Sequence, residues 1–118
     1  MYTFKDMIIG KPSSYGLPTL DLNGKWLNDL GFTIGAMVYT HFQDGCLTLT
    51  TEPTTQCNLG IFTVEAKRVR GKTRPQLLLN AFVLKRAGYN IYDHVGFTLS
   101  HGHIQITKIP RYTTAEYA

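Results

Sequence analysis

The second half of this chain repeats the first at a fixed offset. Residues 18–50 align with residues 75–107 without a gap, 57 positions apart, and ten of the 33 aligned positions are identical. The identities include Leu20/Leu77, Leu22/Leu79, Asn23/Asn80, Leu27/Leu84, Gly31/Gly88, Val38/Val95 and Gly45/Gly102. Phe32/Tyr89, Leu47/Ile104 and Leu49/Ile106 keep their character. Self-similarity of this kind constrains the fold strongly, because each unit must solve the same packing problem with the same few apolar positions. We read it as a tandem duplication within one domain, residues 1–118. Residues 2–51 form repeat 1, 52–58 a linker, 59–108 repeat 2 and 109–118 a C-terminal tail.

Each unit has the same local pattern. Leu20 and Leu22 alternate with polar neighbours, as a half-buried strand requires. Asn23 is placed to cap a short helix that carries Trp26, Leu27 and Leu30 on one face, and Gly31 ends it. Met37 to Phe42 and the Leu47/Leu49 alternation predict two strands joined by a tight turn at Gln43-Asp44-Gly45. In the second copy Asn80 caps, Gly88 stops the helix, and the turn falls at residues 100–103. Upstream of each copy lies a further β-prone run, "YTFKDMII" and "GIFTVEAKRV". The unit is β-β-α-β-β, twice, and the chain is expected to be mainly β with two short helices. A unit of about 57 residues buries little core and leaves sheet edges open. Interleaved halves that cover each other about an internal pseudo-two-fold axis solve both problems.

The stretch "LDLNGKWLNDLGFTIGAMVYTHFQDGCLTLT" resembles the SymE-type toxin domain through Gly24, Trp26, Leu27, Gly31, Phe32, Gly35, Gly45, Cys46, Leu47, Leu49 and Thr50. That domain is similar to the AbrB-type swapped-hairpin proteins, in which two β-β-α-β-β units exchange hairpins to close one barrel. The resemblance implies a swapped-hairpin β-barrel formed here by one chain, an intramolecular pseudo-dimer. It also implies a DNA- or RNA-binding protein acting as the toxin or regulator of a toxin–antitoxin module. The second copy departs from the pattern, with Ala81, Val83, Tyr92 and His103 in place of Gly24, Trp26, Gly35 and Cys46. A chemical role that needs Trp or Cys in both units is therefore disfavoured.

Charge separates the two halves. The net charge is +4, but residues 1–58 carry a net of −2 and residues 59–118 a net of +6. A polyanion would meet the second half. Lys67, Arg68, Arg70, Lys72 and Arg74 fall within eight residues just ahead of copy two, and Lys85 and Arg86 follow on its helix. This basic arm is the expected phosphate-contacting site, since guanidinium groups grip phosphates in two places. At the positions of Lys85 and Arg86 copy one carries Asn28 and Asp29, so the patch should be one-sided. Tyr89, Tyr92 and Phe97 could stack on bases, but their repeat-matched positions favour core packing.

His94, His101 and His103 form a cluster that invites a metal or acid–base role, yet no acidic or cysteine partner follows at ligand spacing. No cofactor is expected. Two other readings stay open: an RNase toxin that cleaves RNA without metal, using one of these histidines or His41, and a non-enzymatic protein-interaction module. Cys46 and Cys57 are expected to be reduced and mostly buried. Without a signal peptide or a long apolar run, a cytoplasmic protein with no membrane partner is expected.

Overall fold

The computed structural model describes residues 3–8, 19–90 and 93–109, the first of these segments as backbone only. Among the described residues, nine strands and two short helices follow one another as β1 (Thr3–Ile8), β2 (Leu20–Asn23), α1 (Lys25–Asp29), β3 (Met37–Gln43), β4 (Cys46–Thr50), β5 (Gly60–Thr63), β6 (Glu65–Val69), β7 (Lys72–Leu79), α2 (Ala81–Arg86), β8 (His94–Ser100) and β9 (His103–Lys108). The chain is mainly β with two short helices. Among the described residues no helix is long and apolar enough to cross a membrane.

The strands make two antiparallel sheets. One has six strands in the order β1-β8-β9-β4-β3-β5, the other three in the order β2-β7-β6. Alternation decides which face of each is inside. From β4 and β9, Leu47, Leu49, Ile104 and Ile106 point inward; from β2 and β7, Leu20, Leu22, Leu77 and Leu79 do the same. All eight belong to a single apolar core, with Leu27 of α1 and Val83 and Leu84 of α2. At roughly 1.5–3 kcal/mol per fully buried aliphatic side chain, this shared core is the main force holding the two sheets together.

The ladders pair residues of the two halves. Thr48 lies opposite Gln105 at the middle of the β4–β9 ladder, with Cys46↔Thr107 and Thr50↔His103 to either side. In the small sheet Leu20 faces Leu79 and Leu22 faces Leu77. The two edge pairings differ by two residues in register. β1 sets Thr3 opposite Leu99, while β5 sets Gly60 opposite Thr40 rather than Phe42. An even slip keeps every side chain on its own face, so the core tolerates it.

Three expectations need correction. The sheets do not close into a barrel. β1 and β5 are the edges of the large sheet, and the chain leaves that sheet for the small one at Val64, between β5 and β6. Val64 is buried and its amide and carbonyl bond Ala36 and Gly35 instead of a strand. The corner interrupts the ladder, and two sheets face one another across the core. Second, Asn23 does not cap α1. Gly24 occupies the N-cap without a side-chain bond, and Asn23 ends β2, its carbonyl accepting the Trp26 indole N–H at 2.9 Å. Asn80 does cap α2, accepting the Val83 N–H at 3.2 Å. Third, the cysteines are free but only half-buried.

The glycine stops behave as expected. Gly31 and Gly88 follow the last turns of the helices at φ 89° and 80°, a region that side chains with a Cβ resist. Residues 52–58 carry no regular element and return along β3. There the Asn58 carboxamide accepts the Phe42 N–H and donates to the Phe42 carbonyl, both at 2.9 Å.

Candidate nucleic-acid interface

The basic run is a β-hairpin. β6 and β7 pair from Glu65↔Gln76 to Val69↔Lys72, and Arg70-Gly71 forms the two-residue loop between them. Both loop residues have positive φ, 53° and 78°, which matches the right-handed twist of the strands and explains why glycine holds the second position. Directly opposed residues share a face, so Lys67 and Arg74 lie on one side and Arg68 and Thr73 on the other.

The hairpin separates the seven basic residues named from the sequence. Arg70, Lys72 and Arg74 line a concavity of about 560 Å³ together with Val69 and Thr73, and α1 supplies the opposite wall through Lys25 and Asn28. Four cations thus line one groove, and among the described residues no carboxylate lines it. Lys67 instead pairs with Asp21 of β2 at 3.3 Å. Burial would raise the Asp21 carboxyl, but hydrogen bonds from Gln76, Asn23 and Lys67 outweigh it and hold the group below its ordinary value. Arg68 is exposed on the other face of β6 and Lys85 and Arg86 close α2; none of the three lines the groove. The Arg86 guanidinium lies 5.2 Å from the centroid of the exposed Phe82 ring.

Lys25 escaped the sequence reading. It is a single lysine at the start of a five-residue helix, remote in sequence from the basic run. The signal available was its place. A cation in the first turn of a helix opposes the helix dipole and is rarely chosen for stability.

The histidines lie elsewhere. His41 and His103 line a second groove of about 640 Å³ on the outer face of the large sheet, with Asp44, Glu52 and Cys46 and with no lysine or arginine. His103 Nε2 is 3.6 Å from Glu52 Oε1. His41 Nδ1 accepts the Asn58 N–H at 3.4 Å, which leaves the ring proton on Nε2, toward Gln43 Oε1 at 3.2 Å. Two carboxylates and no fixed cation make this groove a poor place for phosphate. Among the described residues no three His, Cys, Asp or Glu side chains converge as metal ligands.

Of the aromatic candidates, Phe97 is fully buried and Tyr89 is 2% exposed, so neither offers a stacking face. Tyr89 donates its hydroxyl to the Ile106 carbonyl at 2.8 Å, and burial pushes the phenol up to about 12. Tyr92 lies outside the described residues.

Comparison with known proteins finds a likeness in the segment that supplies Lys25 and Asn28 to this groove. The family model described as "Toxin SymE, type I toxin-antitoxin system" matches residues 10–51. That segment includes α1 with Lys25 and Asn28 and excludes the β6–β7 hairpin. Two relatives named endoribonuclease SymE, from Salmonella paratyphi C (strain RKS4594) and Salmonella choleraesuis (strain SC-B67), are each 39% identical over 41 residues. The match spans 35% of this chain and 37% of each relative's length. No solved structure matches. One side of the cationic groove therefore lies within the matched segment, and residues 10–51 of this chain are similar to the SymE toxin family.

Proposed function

We propose that this chain binds nucleic acid, RNA foremost, through the groove between α1 and the β6–β7 hairpin, in the setting of a toxin–antitoxin module. The observation that carries the reading is the convergence of Lys25, Arg70, Lys72 and Arg74 on one concavity that no carboxylate lines among the described residues. Gathering four like charges costs repulsion that no described ion pair offsets there, and a phosphate backbone is the complementary ligand. The name of the Salmonella relatives favours RNA over DNA. An RNase acting on the same ligand would capture it in the same groove.

The paired ladders support a second inference. Shifting Leu20↔Leu79 by 57 positions gives Leu77↔Leu22, two rungs along the same ladder, and Cys46↔Thr107 maps likewise onto His103↔Thr50. We infer that the halves arose by duplication and pack about a pseudo-two-fold axis near Thr48 and Gln105. Positions equivalent to the β6–β7 hairpin in the first half fall largely on residues 9–18, outside the described residues.

A gel shift with RNA and DNA tests the function. Changing Arg70 and Arg74 to Ala should remove most binding at low salt, whereas wild-type affinity should fall steeply as salt rises. Longer incubation of the same RNA reads out cleavage. Equal binding by wild type and variant, or affinity insensitive to salt, rules out the groove as the site.

A further inference from the structure

The groove has two walls, and this limits what form of nucleic acid can use it. Resting on the nucleic-acid reading above, we infer that the groove takes a single strand threaded between α1 and the β6–β7 hairpin, in preference to a duplex.

The first argument is shape. Lys25 and Asn28 stand on one wall, Arg70, Lys72 and Arg74 on the other, around a space of about 560 Å³. Concavities of roughly 300–1,000 Å³ enclose a small organic molecule, the scale of one or two nucleotides. A duplex is a convex cylinder whose grooves alone are about 6 and 12 Å wide. Its bulk favours resting on the rim of such a concavity, where it meets the hairpin more than α1. A single backbone can enter, and its phosphates then meet cations on both sides.

The second argument is chemistry. Besides the cations, the space is lined by one apolar residue, Val69, and two uncharged polar residues, Asn28 and Thr73. A duplex offers this cleft little beyond phosphate, since its base faces are stacked and its Watson–Crick edges paired. A single strand exposes both. Amide and hydroxyl groups can bond the free edges, and guanidinium planes such as those of Arg70 and Arg74 stack on unpaired bases.

The hairpin tip alone could be laid against a duplex, so Lys25 is the deciding residue. It belongs to the far wall and contributes most when the ligand lies inside. Fluorescence anisotropy with one labelled 12-nucleotide sequence, as single-stranded RNA, single-stranded DNA and the two matching duplexes, separates the cases. At about 100 mM salt the single strands should bind at least about tenfold more tightly than their duplexes. Comparison of the RNA and DNA strands reads the sugar preference. Lys25→Gln, which keeps the aliphatic stem, should weaken single-strand binding severalfold and lower its salt slope by about 0.7, while weakening duplex binding much less.

Duplex binding as tight as single-strand binding would overturn this inference while leaving nucleic-acid binding intact. So would a Lys25→Gln variant that binds single strands like wild type, or that loses both forms equally. Absence of binding to all four probes at low salt would instead overturn the nucleic-acid reading itself.

Discussion

Lys67 Nζ lies 3.3 Å from Asp21 Oδ2, and this ion pair ties β6 to β2 across the small sheet. Asp21 also accepts the Gln76 side-chain amide at 2.9 Å from the intervening strand. Lys67 is thereby occupied in holding the sheet, although it sits within the most basic stretch of the sequence. Lys67→Met should leave the salt slope of RNA binding unchanged and lower stability by less than about 1 kcal/mol, the usual worth of a part-exposed pair. Denaturant melts and binding titrations of the same variant check both halves of this expectation.

The same carboxylate gives stability a pH dependence on the acid side. Asp21 is held below its ordinary value in the folded protein, mainly because the bonds from Gln76, Asn23 and Lys67 outweigh the opposing effect of burial. The unfolded chain therefore takes up its proton first as pH falls. The contribution is full above the unfolded value of about 3.9 and is lost as pH drops through the lower folded value. Wild type should lose stability relative to Asp21→Asn below about pH 4, by an amount again under about 1 kcal/mol. Parallel pH profiles of the two proteins would contradict this.

Gly31 and Gly88 stop equivalent helices but meet different surroundings. A Cβ on Gly31 would come within 3.0 Å of His101 Nε2, whereas nothing lies within 4 Å of a Cβ on Gly88. Both positions have positive φ, so Ala at either should cost about 1–2 kcal/mol from the backbone alone. His101 is exposed, so its ring has solvent to move into. The extra cost at Gly31 should therefore be small. A double-mutant cycle of Gly31→Ala with His101→Ala should give a coupling under about 0.5 kcal/mol. A coupling well above this would mean that the ring is fixed by the fold.

Tyr89 supplies the alkaline counterpart. Its phenol, pushed up to about 12 chiefly by burial, stays protonated when an unfolded tyrosine near 10 has ionised. Its contribution is intact below about pH 10 and is lost as pH rises through about 12. Tyr89→Phe should remove that alkaline loss. It should also cost about 1 kcal/mol at neutral pH, because the Ile106 carbonyl loses its hydroxyl donor. Ultraviolet absorbance of the phenolates during a pH titration, alongside melts, reads both effects.

Much of the fold could be read from local rules. Alternating leucines gave β2, β4 and the end of β7, and Gly31, Gly45, Gly88 and Gly102 marked the turns, because each depends on a few neighbouring residues. Closure did not follow from the same rules. Whether Val64 continues a ladder or turns a corner depends on its bonds to Gly35 and Ala36, which lie nearly 30 residues away. The site divides in the same way. Arg70, Lys72 and Arg74 announce themselves as a run, while Lys25 joins them only because α1 packs beside β7.

The two asparagines at the helix starts show how an identical residue takes different work. Asn80 caps α2 through its side chain, and Asn80→Ala should cost about 1 kcal/mol. Asn23 is aligned with it in sequence, yet its side chain bonds Asp21 while Gly24 takes the cap. Asn23→Ala should therefore leave the start of α1 unaffected and act on Asp21 instead. Removing that donor raises the Asp21 carboxyl toward its ordinary value, so the acid loss of stability should begin at a higher pH in Asn23→Ala than in wild type. Asn80→Ala should lower stability equally across the same range. Melts of both variants from pH 2 to 7 distinguish a capping loss from an electrostatic one, and a uniform loss in Asn23→Ala would assign it the capping role after all.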